Sequence, residues 1–293
     1  MLLANLILMA AIASSPQPTA RHVVIVGIDG LRAAAVREQP LPNISALIKR
    51  GASTLHARAV MPTDSSPNWA SMISGAGPEQ HGVTSNGWEP DKHEIAPVCK
   101  GPGGIFPTIF GVLRGQRRDA VIGCFHDWDG FGRLLERSAS DAVVRGDGPV
   151  ETMREAIAFL ESRRPAFLFI QLDHVDHAGH DKGYVSPEYN TAVIEADRLI
   201  GELEQALRNA GMLDSTVLLV TSDHGGVGTK HGKATMAEIE IPWIIAGPGI
   251  AQGRTIDSPV NTYDTAATAA RILGITPHPC WTGRPVVEAF SAR

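Results

Sequence analysis

The stretch RHVVIVGIDG, residues 21–30, decides the fold. From Val23 to Ile28 no polar side chain alternates with the apolar ones, so a strand here must be covered on both faces. That is the pattern of a strand inside a parallel sheet, and it runs directly into Asp29-Gly30, an acid at a turn. Four later runs repeat it: DAVIGCF (119–125), AFLFIQLDH (166–174), STVLLVTSDHG (215–225) and IPWIIAGPG (241–249). Helical segments lie between them. The clearest spans 187–210, where Val193, Ala196, Ile200, Leu203 and Leu207 recur every three or four positions, with Pro187 near the start and Gly211 closing the end. Strands alternating with helices predict an α/β fold, doubly wound, with a mostly parallel central sheet and helices on both faces. Residues 87–108, rich in Gly and Pro, read as a long surface loop.

The chain has 293 residues, 43% of them hydrophobic and 19% charged, which fits one domain over 21–293. A net charge of -5 with no block of like charges points away from a nucleic-acid polymer as partner. Residues 1–20 combine an apolar run with small residues and a Ser/Pro/Thr stretch, the pattern of a signal peptide, so the chain is expected to be exported to a periplasmic or extracellular space. The run is too short to span a bilayer comfortably, which takes ~20 residues, and no later segment is long enough. Three cysteines, Cys99, Cys124 and Cys280, leave an odd thiol after one disulfide; the expected pair is Cys99 with Cys124.

Three of the strands stop at acids: Asp29, Asp173 with Asp176, and Asp223. Ligands of open α/β sheets bind outside the carboxyl ends of the strands, so these acids should converge in space. DHVDHAGHD (173–181) sets Asp176 and His180 four apart, so that a single helical turn or a tight loop after the strand would point both at one cation. In SDHGGVGTKHGK (222–233), Asp223-His224 follows a strand, two glycines permit a turn, and His231 sits between Lys230 and Lys233 in a cationic loop. Asp29, Asp176, His180, Asp223, His224 and His231 mix carboxylate and imidazole, a set that suits Zn2+ best, with Mn2+ or Fe as alternatives. Six ligands exceed one tetrahedral ion, whereas two ions with an open position each use them all. Metal pairs ~4 Å apart are typical of enzymes that displace groups on phosphorus.

The nucleophile is sought in PTDSSPNWASMI (62–73). Neither a Ser-His-Asp signature nor a GxSxG elbow is present, so a serine here needs a metal to activate it. Pro67 fits the first position of a helix, which puts Ser65 and Ser66 at its N-terminus, where free N–H groups would stabilise a phosphoryl group. Ser66 is expected to cap the helix. Ser65 is the expected nucleophile.

Asp29, PTDSSPN, HGVTSN (81–86), Asp176-x-x-x-His180 and SDHG occur in an order and spacing that resembles the alkaline phosphatase superfamily, and most closely its nucleotide pyrophosphatase/phosphodiesterase branch. The resemblance spans about residues 22–290. It implies that Ser65 stands where that branch carries its nucleophilic threonine and that Asn86 is the asparagine that contacts phosphate. It also implies one metal on Asp176, His180 and a third histidine, and another on Asp29, Ser65, Asp223 and His224. The third histidine is His231 or the late His278, and His231 is favoured because it precedes an Ile-Pro strand as in other branches. The sulfatase signature fails at Trp69, which stands in place of its arginine. The nucleotide branch has an aromatic residue directly after its nucleophile, where this chain has Ser66; Trp69, Trp88 and Trp128 are candidates for a stacking surface from elsewhere. The expected activity is a two-metal phosphodiesterase or nucleotide pyrophosphatase acting on a small phosphorylated substrate through a phosphoryl-serine. A phosphomonoesterase or phosphonate hydrolase on the same scaffold is the alternative, and a non-catalytic metal- or phosphoryl-binding protein the remote one.

Overall fold

The structure, a computed structural model, describes residues 20–292. The expected signal peptide therefore falls, but for Ala20, outside the described residues. Eight strands form one sheet: β1 (His22–Ile28), β2 (Ala52–Arg58), β3 (Ile122–His126), β4 (Ala142–Arg145), β5 (Phe167–Leu172), β6 (Thr216–Ser222), β7 (Glu240–Ala246) and β8 (Arg254–Thr255). Their order is β4-β3-β5-β1-β6-β7-β2-β8. Only β7 runs against its neighbours, pairing antiparallel with both β6 and β2. The helices are α1 (Ala33–Glu38), α2 (Pro42–Arg50), α3 (Ser65–Ser74), α4 (Pro78–His81), α5 (Ile109–Gln116), α6 (Pro149–Arg163), α7 (His174–Lys182), α8 (Pro187–Asn209), α9 (Met236–Ile239) and α10 (Asp264–Leu273).

The unbroken apolar run of β1 is explained by a core on each face of the sheet. Val23 and Ile25 point into one, with Trp69, Phe110, Phe169 and Trp243. Val24, Val26 and Ile28 point into the other, with Leu168, Ile170, Val193, Leu199 and Leu203. Successive side chains of a strand face opposite ways, so an apolar residue at every position is what two covered faces require. Helix α8 lays its stripe on the second core; Pro187 is its first residue, and Ser186 caps it by accepting a hydrogen bond from Tyr189 N at 3.1 Å.

The pairing register sets the candidate site. Ile28 lies level with both Leu172 and Ser222, so β1, β5 and β6 end side by side. Asp29, Asp173 and Asp223 are the residues that follow.

The disulfide expectation is corrected. Cys99 pairs with Cys280, 181 residues away, with Cα atoms 6.5 Å apart. Cys124 sits on β3 between β4 and β5, fully buried in the core, where no loop cysteine can reach it. Among the described residues no helix is long and apolar enough to cross a membrane.

Candidate metal and phosphoryl site

Two groups of metal-competent side chains stand at the carboxyl end of the sheet, Asp176 with His180 and His231, and Asp29 with Asp223 and His224; within each, the ligand atoms lie within 4.8 Å of one another. The groups abut, since the His224 and His231 rings stack with centroids 3.8 Å apart. A third, all-carboxylate group joins Asp29, Asp173 and Asp176.

Local structure explains the first group. Asp176 and His180 are one turn apart on α7, and His180 Nε2 lies 3.1 Å from Asp176 Oδ2. His231 arrives on the strap after β6, its Nε2 3.1 Å from His180 Nε2 and 4.0 Å from Asp176 Oδ2. In the second group His224 Nε2 is 3.4 Å from Asp29 Oδ1, 3.3 Å from Asp223 Oδ2 and 3.2 Å from Ser65 Oγ. Asp29, Asp223 and His224 are completely buried. Gly30 makes the approach of α7 possible: its φ is +67°, and a Cβ there would lie 2.5 Å from the Asp176 carboxylate.

The donor set fits divalent cations. Each histidine spends Nδ1 on a main-chain carbonyl: His180 on Thr229 at 2.9 Å, His224 on Gly225 at 2.9 Å and His231 on Thr63 at 2.7 Å. A carbonyl only accepts, so Nδ1 carries a proton and Nε2 of each ring faces the cluster; at His180 the hydrogen bond to Asp176 raises the pKa to about 9, so its Nε2 is protonated in the metal-free fold and a cation would take the place of that proton. Asp29 Oδ1 and Asp223 Oδ2 are buried with no hydrogen-bond partner. Burial pushes both carboxyls well above their usual range, and neighbouring carboxylates add to it: Asp223, Asp176 and Asp173 for Asp29, and Asp176 for Asp223. Asp173 is pushed up to about 6 by burial and by Asp176. Burial pushes Asp176 up as well, but the hydrogen bond with His180, the neighbouring His224 and His231 and the Tyr184 hydroxyl outweigh it and hold it at about 2. Buried carboxyl oxygens without hydrogen-bond partners, beside inward-facing imidazole Nε2 atoms, are what a cation would relieve.

Ser65 is the first residue of α3, 4% exposed, with its hydroxyl on His224 Nε2. Burial, and then His231, holds His224 down at about 3, too low for an effective general base at neutral pH. Its Nδ1 faces its own chain rather than a carboxylate, so the pair is not a Ser-His-Asp arrangement.

The expectation that Ser66 caps α3 is corrected. The helix begins one residue before it, Asp64 holds the cap position without a side-chain bond, and Pro67 is the third helical residue. Ser66 instead gives its N–H to Asn86 Oδ1 at 2.8 Å, and its hydroxyl accepts from Arg133 Nη2 at 3.3 Å. That bond fixes the Asn86 amide beside Ser65 with Oδ1 committed, leaving Nδ2 as the donating end. Arg133 also bonds Asn86 O at 2.5 Å and pairs with Glu89 at 2.9 Å.

Trp69 is not a stacking surface. It is fully buried, and its Nε1 donates to Asp29 Oδ2 at 2.9 Å. Trp88 is buried as well, which leaves the half-buried Trp128 of the three. His278 lies away from both groups; it lines a separate pocket with Lys100, Arg114 and Glu136, and its Nδ1 accepts from Cys280 N.

The pattern of the type I phosphodiesterase / nucleotide pyrophosphatase family matches residues 23–104 and 118–240. The chain belongs to this family. A mouse relative, ectonucleotide pyrophosphatase/phosphodiesterase family member 1, is 28% identical over 216 residues, 69% of this chain and 24% of its own length. Mouse bis(5'-adenosyl)-triphosphatase enpp4 is 27% identical over 225 residues, 72% of this chain and 48% of its own. The chain thus spans less than half the length of these relatives. In fold, this phosphodiesterase-family chain is similar to murine ectonucleotide pyrophosphatase/phosphodiesterase 5 in complex with AMP, with a TM-score of 0.77 at 17% identity over 92% of this chain and 100% of that one. It is also similar to the alkaline phosphatase PafA, with a TM-score of 0.80 at 12% identity over 94% of this chain and 99% of that one. This likeness of fold bears out the expected alkaline phosphatase-like α/β class.

Proposed function

We propose that the protein is a two-metal hydrolase of phosphate esters, a phosphodiesterase or nucleotide pyrophosphatase that works through a phosphoryl-Ser65. The observation that carries this reading is the Ser65 hydroxyl on the first turn of α3, 3.2 Å from Nε2 of His224, whose ring stacks on His231 of the other ligand group. Asp176, His180 and His231 would hold one ion, and Asp29, Ser65, Asp223 and His224 the other; three imidazoles among carboxylates favour zinc. Such ions lower the pKa of a hydroxyl and offset charge that develops on phosphorus. Ser65 Oγ attacks phosphorus in line, the bond to the leaving oxygen breaks, and that oxygen departs as an alcohol or phosphate once protonated. Water then cleaves the phosphoryl-serine and returns the proton to Ser65. Asn86 Nδ2 and the free N–H groups of α3 bind the non-bridging oxygens. The substrate is a small phosphorylated molecule, and the family's nucleotide chemistry makes a nucleotide diester or dinucleoside polyphosphate the first choice.

Arg133 supports a second reading. A guanidinium at Ser66 and Asn86 would favour the additional charge of a phosphomonoester or phosphonate. Rates on p-nitrophenyl phosphate and its diester analogue separate the two. Export is part of the proposal and is supported by the Cys99–Cys280 disulfide, which an oxidising compartment maintains. The decisive experiment is Ser65→Ala with metal analysis: two ions per chain retained and turnover reduced by orders of magnitude. Wild-type turnover in that variant would remove Ser65 from the mechanism.

A further inference from the structure

Tyr184 lies two residues beyond α7 and is completely buried. Its hydroxyl donates to Asp176 Oδ1. The other oxygen, Oδ2, is the one that faces His180 Nε2 and His231 Nε2. The peptide groups of Tyr184 are engaged too: its N–H donates to Gly228 O at 2.8 Å, and its carbonyl accepts from Arg32 Nη1 at 2.9 Å. Its ring lies against Gly179 of α7 and Gly226 of the strap, where a Cβ at either glycine would collide with it. One residue therefore ties together the turn after Asp29, the helix of Asp176 and His180, and the strap that carries Asp223, His224 and His231. A phenylalanine would fill the same volume, so apolar packing does not account for the hydroxyl. Tyr189, equally buried beside it, sends its hydroxyl to Gly30 O at 2.9 Å, a backbone partner and not a candidate ligand.

We propose that Tyr184 is a positioning residue for the ion on Asp176, His180 and His231: its hydroxyl engages Asp176 Oδ1, so that Asp176 offers a cation Oδ2 alone. A carboxylate with both oxygens free can grip an ion twice and fill a position that substrate or water needs, whereas a donated O–H fixes its rotation and withdraws one oxygen. The inference rests on the metal-binding reading above, and it differs from it in what would overturn it.

The test uses full-length protein loaded with Co2+, whose visible absorption reports coordination number, together with chelator competition. Wild type is expected to give the intense bands of a four- or five-coordinate ion. Tyr184→Phe is expected to give weaker bands and an affinity for one of its two ions lower by about 10- to 100-fold, the other unchanged. Tyr189→Phe removes an equally buried hydroxyl, so it should lose thermal stability while keeping the wild-type spectrum and affinities. A Tyr184→Phe protein with the wild-type spectrum and both affinities intact overturns the proposal and leaves the metal reading standing. A wild type that takes up no Co2+ overturns both.

Discussion

The Trp69 indole donates a 2.9 Å hydrogen bond to Asp29, joining the helix that carries Ser65 to the acid that ends β1. Trp69 stands one turn after Ser65, so a single helix places the hydroxyl and braces a candidate ligand. Asp29 Oδ2 has one further donor, Gln171 Nε2 at 3.3 Å. Trp69→Phe keeps an aromatic ring, smaller than the indole, and removes the N–H. It is expected to destabilise the fold by about 1–3 kcal/mol, because a buried carboxyl loses the shorter of its two Oδ2 donors and the smaller side chain leaves space in the core. It should also weaken the ion on Asp29, Asp223 and His224 more than the other. Urea denaturation and metal titration read the two effects separately, and unchanged affinities would remove Trp69 from the support of the site.

Asn86 is held by the peptide N–H of Ser66, so its amide can turn only one way. Asn86→Ala is expected to lower kcat by about 10²- to 10³-fold, the range for loss of one donor to a developing oxyanion. Asn86→Asp is expected to do worse, because it sets a negative charge against the phosphoryl group while keeping the Ser66 bond. Steady-state rates on one activated diester suffice, and equal rates for both variants would show that Asn86 does not face the phosphoryl oxygens.

Much of this was legible because strands buried on both faces leave unbroken apolar runs: β1, β3, β5, β6 and β7 follow those runs closely. β2, with sequence ASTLHAR, mixes polar and apolar residues and carries an irregular pairing with β7, and β4 and β8 are too short to leave a pattern. Asp176 and His180 were readable from their helical spacing. The contacts of Trp69 and Tyr184 were not, since each depends on a partner brought near by tertiary packing. Ser66 misled because a serine before Pro looks like a cap, whereas its N–H was already taken by Asn86, 20 residues on. The cysteine pairing failed for a similar reason: chain separation says nothing about which thiol is sealed inside a sheet.

His81 gives a pH dependence. It is 1% exposed; its Nδ1 accepts from Val83 N at 3.0 Å, so its Nε2 is the proton-bearing atom that donates to Ser71 Oγ at 2.9 Å. The bond accepted at Nδ1 needs the neutral ring, and burial holds its pKa down at about 3 from 6.5. The unfolded chain therefore binds the extra proton first as pH falls. The stability is fully present above about 6.5 and declines toward about 3, by roughly 1.4 kcal/mol per pH unit from this group at most. His81→Gln, less stable at neutral pH, is expected to show a shallower decline of unfolding free energy between pH 6 and 4. Parallel curves for the two proteins would assign the acid sensitivity elsewhere.

Metal removal should expose the opposite sign at higher pH. Asp29 and Asp223 are buried with unpartnered oxygens, and burial together with neighbouring carboxylates raises both pKa values in the metal-free fold. A raised carboxyl pKa means that the folded state holds protons the unfolded chain has released, so metal-free protein loses stability as pH rises. Chelated protein is expected to melt lower at pH 8 than at pH 6.5, a window in which His81 is already neutral and in which His180, raised to about 9 by Asp176, adds to the same loss. Two bound ions at about 1,000 times their Kd would each add about 4 kcal/mol and largely abolish that slope. Replacing one carboxylate removes the repulsion without a metal: Asp223→Asn, chelated, is expected to melt several degrees above chelated wild type, a gain of about 1–3 kcal/mol, while losing turnover. Calorimetry of the four samples decides it. A chelated Asp223→Asn protein that melts below chelated wild type would mean that the acids of this cluster stabilise the fold by themselves, and the electrostatic case for a cation between them would be lost.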